Sequence, residues 1–368
     1  MKRIIKVVAI LLLLALFLSA CGIVELEVSL SGNPASAIVT EQADSAGGVQ
    51  SDDGASMLTV YFLDVGQGDA ALLLCDGKAM LIDGGDASSS RLIHSVLHSY
   101  GITHIDYLIA THGHEDHIGG LAAALNYATV GTAFSPVIEY ESRAFGNFVR
   151  YLDVRGASIT VPNHGDNFMF GSAEVTVVGP INPSDNPNNT SIVLKVTHGD
   201  ISFLFSGDAE RQLEEDIVEA GHDISATVLK VGHHGSDTST TYPFLREVMP
   251  SYAVISCASG NIYGHPEEDL LSRLRDADVT LYRTDMQGTI AFVSDRSSVS
   301  ITTGRNFDIQ TNPTQSIIAE DYYIGNINSK RLHRPSCSGL PQEQNRILFD
   351  TWDEAANDGY LPCGTCNP

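Results

Sequence analysis

The 368-residue sequence has few basic residues, with 21 lysines and arginines against 45 aspartates and glutamates and a net charge of −24. This argues against a protein that holds nucleic acid mainly by neutralising phosphates, because the chain has no net positive field. It does not exclude a metal-dependent enzyme acting on phosphates, since bound cations supply positive charge locally. Charged residues make up only 18% of the chain and hydrophobic residues 43%. The chain can therefore bury a core, and its length predicts one large domain with an appendage or two ordinary domains.

The N-terminal apolar run is too short for a membrane span. It covers Val7–Phe17, whereas a span needs roughly 20 apolar residues. Three basic residues precede the run, and Leu18-Ser19-Ala20-Cys21 follows it. A basic start, a short apolar stretch and small residues before a cleavage point predict a secretory signal peptide over residues 1–20.

The end of this signal indicates lipidation. Leu-Ser-Ala-Cys resembles the bacterial lipobox, which implies cleavage before Cys21 and attachment of lipid to its thiol. Residues 21–56 are rich in Gly, Ser, Ala and Asp and poor in aromatics, a composition typical of a disordered tether. We therefore predict a lipoprotein anchored at Cys21 to the bacterial cell membrane, with its folded part extracytoplasmic. The sequence identifies no protein partner.

From Leu58 onward the pattern indicates alternating strands and helices. Short runs of apolar and β-branched residues are separated by glycine-rich and aspartate-rich turns, which favours strands joined by tight loops. The predicted helices are Arg91–Tyr100 and Leu121–Leu125. The predicted strands are Leu58–Leu63, Ala71–Cys75, Ala79–Ile82, Ile105–Ala110, Ile201–Phe205 and Ala226–Val231.

The most informative segment lies between a buried strand and a helix. It places His112, His114, Asp116 and His117 within six residues, and on a loop these side chains need not alternate between faces. Imidazole nitrogens and carboxylate oxygens suit a divalent metal such as zinc or manganese. The histidines at i and i+2 can serve one ion while the Asp-His pair at i+4 and i+5 serves a second. Four such residues in this order and context predict a metal site.

Here the sequence resembles the metallo-β-lactamase-fold hydrolases, and among them the ComEC type, the hydrolase-like domain attached to the DNA-uptake channel of competence. The resemblance covers about residues 57–305 in the family's order. It implies an α/β fold, an αββα sandwich with a dinuclear metal site at the sheet edges. The motifs that carry it are Asp64–Ala70, Leu81–Gly85, His112–His117, Ser206–Asp208, Leu229–Ser236 and Asn261–Pro266.

The resemblance assigns most of the metal ligands residue by residue. His112 and His114 would bind the first metal, and Asp116 and His117 the second. Asp208 follows a strand at the place of the family's bridging carboxylate. The cofactors implied are thus two divalent ions, zinc or manganese, in the hydrolase site.

The remaining site residues have less definite roles. At least one of His233 and His234 would complete the second site, and His234 is favoured. His265 is a rival for that role or a proton donor to a leaving group. Asp83 would orient metal ligands from behind. For three residues of the first motif, Asp64, Gln67 and Asp69, a turn that fixes strand geometry and direct catalysis stay open.

The sequence departs from the family at one place. Most hydrolases of this fold have another metal-binding histidine where this chain has Asn188–Ser191, as the ComEC type tends to have. The first site then has fewer nitrogen ligands, which weakens the case for zinc and leaves manganese as an alternative. The other histidines are expected to be ordinary surface or hydrogen-bonded residues: His94, His98, His104, His164, His198 and His222.

The mechanism that the resemblance implies is metal-assisted hydrolysis. Two cations would lower the pKa of a shared water and stabilise charge on the attacked centre, and Asp116 could guide that water's proton. The ComEC type implies phosphodiesters, DNA in particular, over lactams. One alternative is a hydrolase of cell-wall phosphodiesters, lactones or amides. Another is a DNA-binding or uptake lipoprotein with weak hydrolase activity.

The cysteines near the C-terminus form a second pattern. Six cysteines are too few for a disulfide scaffold in 368 residues, so their spacing carries the information. His333 and Cys337 are followed by Cys363 and Cys366. One histidine and three thiolates make a closed tetrahedral set typical of structural zinc. The alternative is a Cys363–Cys366 disulfide in an oxidising compartment.

Residues 322–368, after a linker over 306–321, resemble the zinc-binding domain of the Ada DNA-repair protein. The resemblance rests on Arg334–Cys337 and on Pro362-Cys363-x-x-Cys366. In Ada the first ligand is a cysteine that accepts methyl groups, whereas His333 stands here, so repair chemistry is not expected. DNA binding and a structural or protein-binding role both stay open, because the acids of this segment outnumber its bases. Those bases are Lys330, Arg331, Arg334 and Arg346.

Overall fold

The structure is a computed structural model, and it describes residues 56–313, 322–335, 337–349, 351–364 and Cys366. The predicted signal peptide, the predicted lipidation site at Cys21 and nearly all of the predicted tether lie outside the described residues, as do residues 314–321 of the predicted linker. Within these described ranges, no helix is both long enough and apolar enough to cross a bilayer.

Two large β-sheets and their covering helices make up residues 58–303. The helices of this region are α1 Ser90–Ser99, α2 Glu115–Ile118, α3 Leu121–Tyr127, α4 Arg143–Val154, α5 Arg211–Ala220, α6 Tyr242–Val248, α7 Glu268–Asp276 and α8 Thr284–Gln287. The strands are β1 Leu58–Phe62, β2 Ala71–Cys75, β3 Lys78–Ile82, β4 His104–Ile109, β5 Thr129–Phe134, β6 Ile159–Thr160, β7 Asn167–Phe170, β8 Ala173–Gly179, β9 Val193–His198, β10 Ile201–Phe205, β11 Val228–Lys230, β12 Tyr252–Ile255, β13 Thr280–Arg283, β14 Ile290–Ser294 and β15 Val299–Thr303.

The two sheets pack face to face through apolar side chains that alternate along each strand. The first has the order β15-β14-β1-β2-β3-β4-β5-β6, and the second β13-β12-β11-β10-β9-β8-β7. Side chains at every second position of β1, such as Val60 and Phe62, join the core between the sheets together with Phe203 and Phe205. The Phe62 and Phe205 rings stack with their centroids 5.7 Å apart. Leu72 of β2 points the other way, into the helical layer.

Helices cover the outer face of each sheet. Ile93 of α1, Leu121 of α3 and Phe148 of α4 pack on the first sheet. Leu213 of α5 and Phe244 of α6 do the same on the second. The layers are therefore helix, sheet, sheet, helix, and the predicted αββα sandwich is confirmed.

The strand directions bring several loops to one edge of the sandwich. β3 and β4 are parallel neighbours in the first sheet, and β10, β11 and β12 are parallel neighbours in the second. The loops that leave their carboxyl ends contain Asp83, His112, Asp208 and His234. In α/β sheets this is the edge where ligands bind.

The C-terminal module is a small sheet with one helix. Its sheet has the order β18-β16-β17-β19, and its core is Leu332, Phe349, Ala355 and Tyr360, with Tyr323 packed against it. A core of this size needs a disulfide or a bound metal to be stable. The elements are β16 Tyr323–Asn326, β17 Arg331–His333, β18 Arg346–Phe349, β19 Leu361–Pro362 and α9 Trp352–Asn357.

Candidate metal centre

A first group of metal-ligand side chains forms where the loop after β4 meets the loop after β10. His112, His114 and Asp208 each offer one donor atom, and these atoms lie within 4.8 Å of one another. His112 Nε2 is 3.0 Å from His114 Nδ1 and 3.6 Å from Asp208 Oδ2. His112 and Asp208 are buried and His114 is partly exposed, so the group opens to solvent on the His114 side.

A second group adjoins the first and shares Asp208 with it. Its members, Asp69, His117, Asp208 and His234, are all buried, and their donor atoms also lie within 4.8 Å of one another. His117 Nε2 is 3.1 Å from Asp208 Oδ1 and 3.3 Å from His234 Nε2. Asp208 therefore stands between the two groups, at the place of the predicted bridging carboxylate.

The donor atoms fit two divalent cations. Oδ1 of Asp69 and Oδ1 of Asp208 are buried, and among the described residues they have close imidazole nitrogens but no aligned hydrogen bond. Ligand atoms at about 2.0–2.1 Å around a tetrahedral zinc lie roughly 3.3 Å apart. The nitrogen pairs of the two groups have this spacing, at 3.0 Å and 3.3 Å. Imidazole and carboxylate donors accept zinc and manganese alike, so the identity of the metal is not established.

Carboxylates and imidazoles are neighbours in the centre, and each shifts the pKa of the other. Burial opposes charge on Asp208, but His117 and His234 hold the pKa of its carboxyl well below the usual range. Burial and the neighbouring His117 lower the pKa of His112 well below its ordinary value. Asp208 and Asp69 raise the pKa of His234 to about 10, although burial opposes this. Protons must leave such imidazoles before a cation can bind, so metal affinity should fall in acid.

Asp83 holds His117 from behind the centre. Its carboxylate accepts hydrogen bonds from Thr111 N at 2.9 Å and Thr111 Oγ1 at 2.7 Å. Its Oδ2 also lies 2.8 Å from His117 Nδ1. A donor at Nδ1 leaves His117 Nε2 to face the second group. Asp83 is thus placed for the orienting role that the resemblance implies.

Of the two consecutive histidines, the structure brings His234 into the centre and leaves His233 outside both groups. Both residues have left-handed backbones, with φ of 47° and 54°, and this tight turn sends their rings in different directions. His234 Nδ1 lies 3.1 Å from the Ser256 carbonyl oxygen, which leaves Nε2 for the cluster. His233 Nδ1 instead lies 3.2 Å from Glu210 Oε1, and its Nε2 is 3.9 Å from Asp208 Oδ2.

Asp116 and His265 lie beside the centre but in neither group. Asp116 Oδ2 is 3.2 Å from His234 Nε2, and its side chain is 34% exposed because it lies in the first turn of α2 at the surface. His265 Nδ1 is buried without a hydrogen bond from the described residues. Burial and the nearby His233 lower the pKa of His265 to about 4. Its role as a proton donor or a metal ligand therefore stays a prediction.

Asp69 occupies the position in the second group that the sequence predicted for Asp116. Its Oδ2 pairs with the buried Lys230, whose Nζ is 2.8 Å away. Lys230 also donates to the Val231 carbonyl at 2.7 Å. Although burial opposes it, the Lys230 charge helps to lower the pKa of Asp69. We did not predict a role for Lys230, yet a lysine inside a buried strand is itself a signal, because such a charge needs a partner.

Gly68 brings the Asp69 loop against α2. A Cβ at this position would lie 2.2 Å from the Asp116 carbonyl oxygen, and its φ of +138° is one that glycine alone adopts readily. The same approach lets Asp69 N donate to the Asp116 oxygen at 3.1 Å. The motif glycine therefore positions Asp69.

The asparagines that replace the family's histidine do not reach the centre. Asn188 Nδ2 donates to Glu210 Oε1 at 3.0 Å, and Asn189 Oδ1 accepts from Glu210 N at 3.1 Å. Ser191 is the nearest polar group, with its Oγ 3.5 Å from His112 Nδ1. The first group therefore has two nitrogen donors, His112 and His114, in line with the expectation of fewer nitrogen ligands there.

The C-terminal module brings together all four of its predicted ligands. His333, Cys337, Cys363 and Cys366 have their donor atoms within 4.8 Å of one another. Backbone amides lie near the sulfurs, with Arg334 N 3.5 Å from Cys366 Sγ and Gly339 N 3.4 Å from Cys337 Sγ. Among the cysteines that the structure describes, none is joined to another by a disulfide. The donor set fits a structural zinc.

Comparison with known families agrees with this geometry. Residues 63–259, more than half of the chain, match the Metallo-beta-lactamase superfamily. The chain belongs to this superfamily. Residues 313–368 match the metal binding domain of Ada. The protein is thus a metal-dependent hydrolase of the metallo-beta-lactamase fold with a C-terminal zinc-binding module, and both predicted resemblances are confirmed.

The chain is similar in sequence to several curated proteins, one of them named "Recombination protein 2" of Haemophilus influenzae, at 30% identity over 246 residues. The chain is 29% identical over 252 residues to "ComE operon protein 3" of Bacillus subtilis, a match that covers 63% of this chain and 32% of the relative. It is 30% identical over 242 residues to "Competence protein ComA" of Neisseria gonorrhoeae, with coverages of 64% and 32%. The chain therefore spans about a third of the length of these relatives. Among solved structures, the metallo-beta-lactamase fold protein YhfI from Bacillus subtilis is 11% identical with a TM-score of 0.42, covering 67% of this chain and 100% of YhfI.

Proposed function

We propose that this metal-dependent hydrolase is a phosphodiesterase that cleaves DNA and is held outside the cytoplasmic membrane by a lipid anchor. The observation that carries the proposal is the pair of donor groups joined by Asp208. Two adjacent cation sites suit an in-line displacement at phosphorus. The similarity to proteins named for competence and for recombination favours DNA as the phosphodiester.

The chain's own residues would divide the work as follows. Cations bound at such a centre lower the pKa of a water and offset the charge of a phosphate. His112 and His114 would hold one cation and His117 and His234 the other, with Asp208 contacting both. Asp116 lies at the rim, 34% exposed and 3.2 Å from His234, where it can accept a proton from a water or hydroxyl. Asp83 and Lys230 keep the ligands in place.

The acidity of the chain supports a site of this kind. With a net charge of −24, the protein has no field that would attract a polyanion from a distance. Cations concentrated at one edge of the sheets would supply that attraction only where cleavage takes place.

The cellular location is proposed from the N-terminal sequence. A basic start, the apolar run Val7–Phe17 and the Leu-Ser-Ala-Cys sequence favour export and lipidation at Cys21. A radiolabelled fatty acid should be incorporated into the wild-type chain and not into Cys21→Ser. Equal labelling of the wild-type chain and Cys21→Ser would contradict a lipid anchor at Cys21 and would leave the proposed enzymatic activity unaffected.

Cleavage assays on the full chain test the activity. Single-stranded DNA, double-stranded DNA and bis(p-nitrophenyl) phosphate would be incubated with Mn²⁺, Zn²⁺ or a chelator. We expect metal-dependent cleavage of DNA that disappears in His114→Ala and persists in His94→Ala, a matched change at an exposed histidine of α1. If DNA is not cut, the nuclease proposal is wrong. Cleavage of the small diester alone would point to a small substrate such as a cell-wall phosphodiester.

A further inference from the structure

The loop after β12, beside the metal centre, has an exposed aromatic residue at its tip. Tyr263 is 62% exposed and its neighbour Ile262 is 93% exposed. The Tyr263 ring lies 5.6 Å from the His265 ring, centroid to centroid, with 25° between the planes. The His265 ring lies 6.5 Å from that of His234 at 28°. The rings of His234, His265 and Tyr263 thus form a series of successive neighbours from the second donor group to the exposed Tyr263.

The backbone of this loop is held firmly in spite of its exposure. The Asn261 side chain accepts hydrogen bonds from Tyr263 N at 3.1 Å and His265 N at 3.0 Å. It also donates to the Ala258 carbonyl at 2.9 Å. Gln67 Oε1, from the loop that contains Asp69, accepts from Ala258 N at 3.2 Å. The tip is therefore pre-organised, so a ligand that meets the Tyr263 ring does not have to order the loop.

We propose that Tyr263 is a stacking platform for a nucleobase of a single-stranded nucleic acid whose phosphodiester lies at the metal centre. This inference rests on the proposed phosphodiesterase function and narrows its substrate class. An exposed aromatic ring stacks on any base, because every base has a π-face. In a chain of net charge −24, stacking supplies binding energy that a basic groove would supply elsewhere.

The position of the ring favours a single strand over a duplex. In a duplex each base is stacked on its neighbours, so its faces are not available unless it is first flipped out at a cost in free energy. A strand end or an unpaired strand offers its base faces directly. Because His265 separates the Tyr263 ring from His234, the stacked base would belong to a nucleotide next to the cleaved bond.

The test compares an oligodeoxynucleotide with a strand of the same length that has abasic residues. Tyr263→Ala should lower kcat/KM for the normal oligonucleotide about tenfold, and Tyr263→Phe should keep the wild-type value because its ring still stacks. Removing the bases should also lower wild-type kcat/KM about tenfold, and the two losses should not add. Tyr242→Ala is the matched control, since Tyr242 is 54% exposed on α6 and hydrogen-bonds Asp276. Equal losses in Tyr263→Ala on both strands would overturn the platform, as would no loss on either.

A binding measurement separates this inference from the proposed function. The anisotropy of fluorescein-labelled oligonucleotides with cleavage-resistant phosphorothioate linkages would be followed with Mn²⁺ present, so that the cations stay at the centre. Base-dependent binding that weakens in Tyr263→Ala but not in Tyr242→Ala supports the platform even if no DNA is cut with metal. Metal-dependent cleavage that is indifferent to the bases and to Tyr263 keeps the phosphodiesterase and overturns the platform.

Discussion

The hydrolase centre and the C-terminal module both gather metal ligands, but they assemble them differently. In the hydrolase centre, one donor group joins residues as far apart in sequence as Asp69 and His234. They lie on loops at one edge of two sheets with three extensive apolar cores. The module draws its four donors from one short stretch, between His333 and Cys366, around a core of four buried residues.

The difference separates a site suited to chemistry from one suited to folding. Three donors in the first hydrolase group leave room at a cation for water or substrate, as catalytic sites require. One imidazole and three thiolates close the coordination sphere of zinc, as structural sites require. We therefore expect the large domain to fold without its metals and the module to depend on zinc.

Trp352 makes the comparison measurable. It is the sole tryptophan of the chain, it begins α9 and it is 40% exposed. Its fluorescence therefore reports on the module alone, while far-UV circular dichroism is dominated by the large domain. Each variant below can be followed by both signals.

The largest effect is expected for Asp208→Asn. Loss of the shared carboxylate should lower kcat at least ~10³-fold, because both donor groups depend on it. Elemental analysis should show loss of the two hydrolase metals and retention of the module's zinc. Unchanged Trp352 emission would confirm that the module is intact. Activity near the wild-type value would contradict a shared role for Asp208.

Cys363→Ser should have the opposite pattern. Without the full ligand set the module should lose its zinc and unfold, since zinc binding supplies ~10 kcal/mol or more to such modules. Trp352 emission should shift to the red while hydrolysis of the small diester continues. His333→Cys, which restores the ligand type of Ada, should keep zinc and native emission. A folded module in Cys363→Ser would show that its fold does not depend on zinc.

Lys230→Met tests the support of the centre and should have a smaller effect. Asp69 would lose its buried partner, and metal affinity or activity should fall ~10–100-fold, as for other residues that orient ligands. Titration with Mn²⁺ or Zn²⁺ gives the affinity. Lys195→Met is the matched control, since Lys195 pairs with the exposed Asp223 at 2.8 Å. Equal metal affinities in the two variants would show that Lys230 does not support metal binding.

The smallest effect on activity is expected at Glu214, which bears on the stability of the large domain. Glu214 is buried, and burial raises the pKa of its carboxyl from 4.5 to about 7, although the Thr241 and Thr240 amides and Arg273 oppose this. Between pH 4.5 and pH 7 the Glu214 carboxyl is protonated in the folded state and ionised in the unfolded state. The free energy of unfolding should therefore fall by ~3 kcal/mol as pH rises from 4.5 to 7. Urea unfolding followed by circular dichroism should show this slope and Glu214→Gln should lack it. A slope that persists in Glu214→Gln belongs to another group.

Much of the layer structure was predictable because its signals are local. Strands such as β2 and β10 begin and end at the predicted residues, since turn residues bound their apolar runs. The loop from His112 to His117 was also identifiable, because its ligands are close in sequence.

The details of the second group were not predictable. His233 and His234 follow the same strand, and only the left-handed turn decides which ring enters the centre. Asp116 and Asp69 are both motif aspartates, and the pairing of Asp69 with Lys230 joins a loop to a strand more than 150 residues away. The Asp69–Lys230 ion pair is visible only in the folded chain.

The pairing of β1 has a consequence for the order in which the domain can be completed. β1 lies between β2 and β14, and Leu58 is opposite Ser294. Asp64, at the start of the loop that carries Asp69, likewise receives a hydrogen bond from Arg305 and donates one to Thr289. β1 therefore cannot complete its pairing until β14 has been made. The first sheet closes only after synthesis has passed residue 305. On the export route proposed above, this delay would leave the chain without its finished fold while it crosses the membrane.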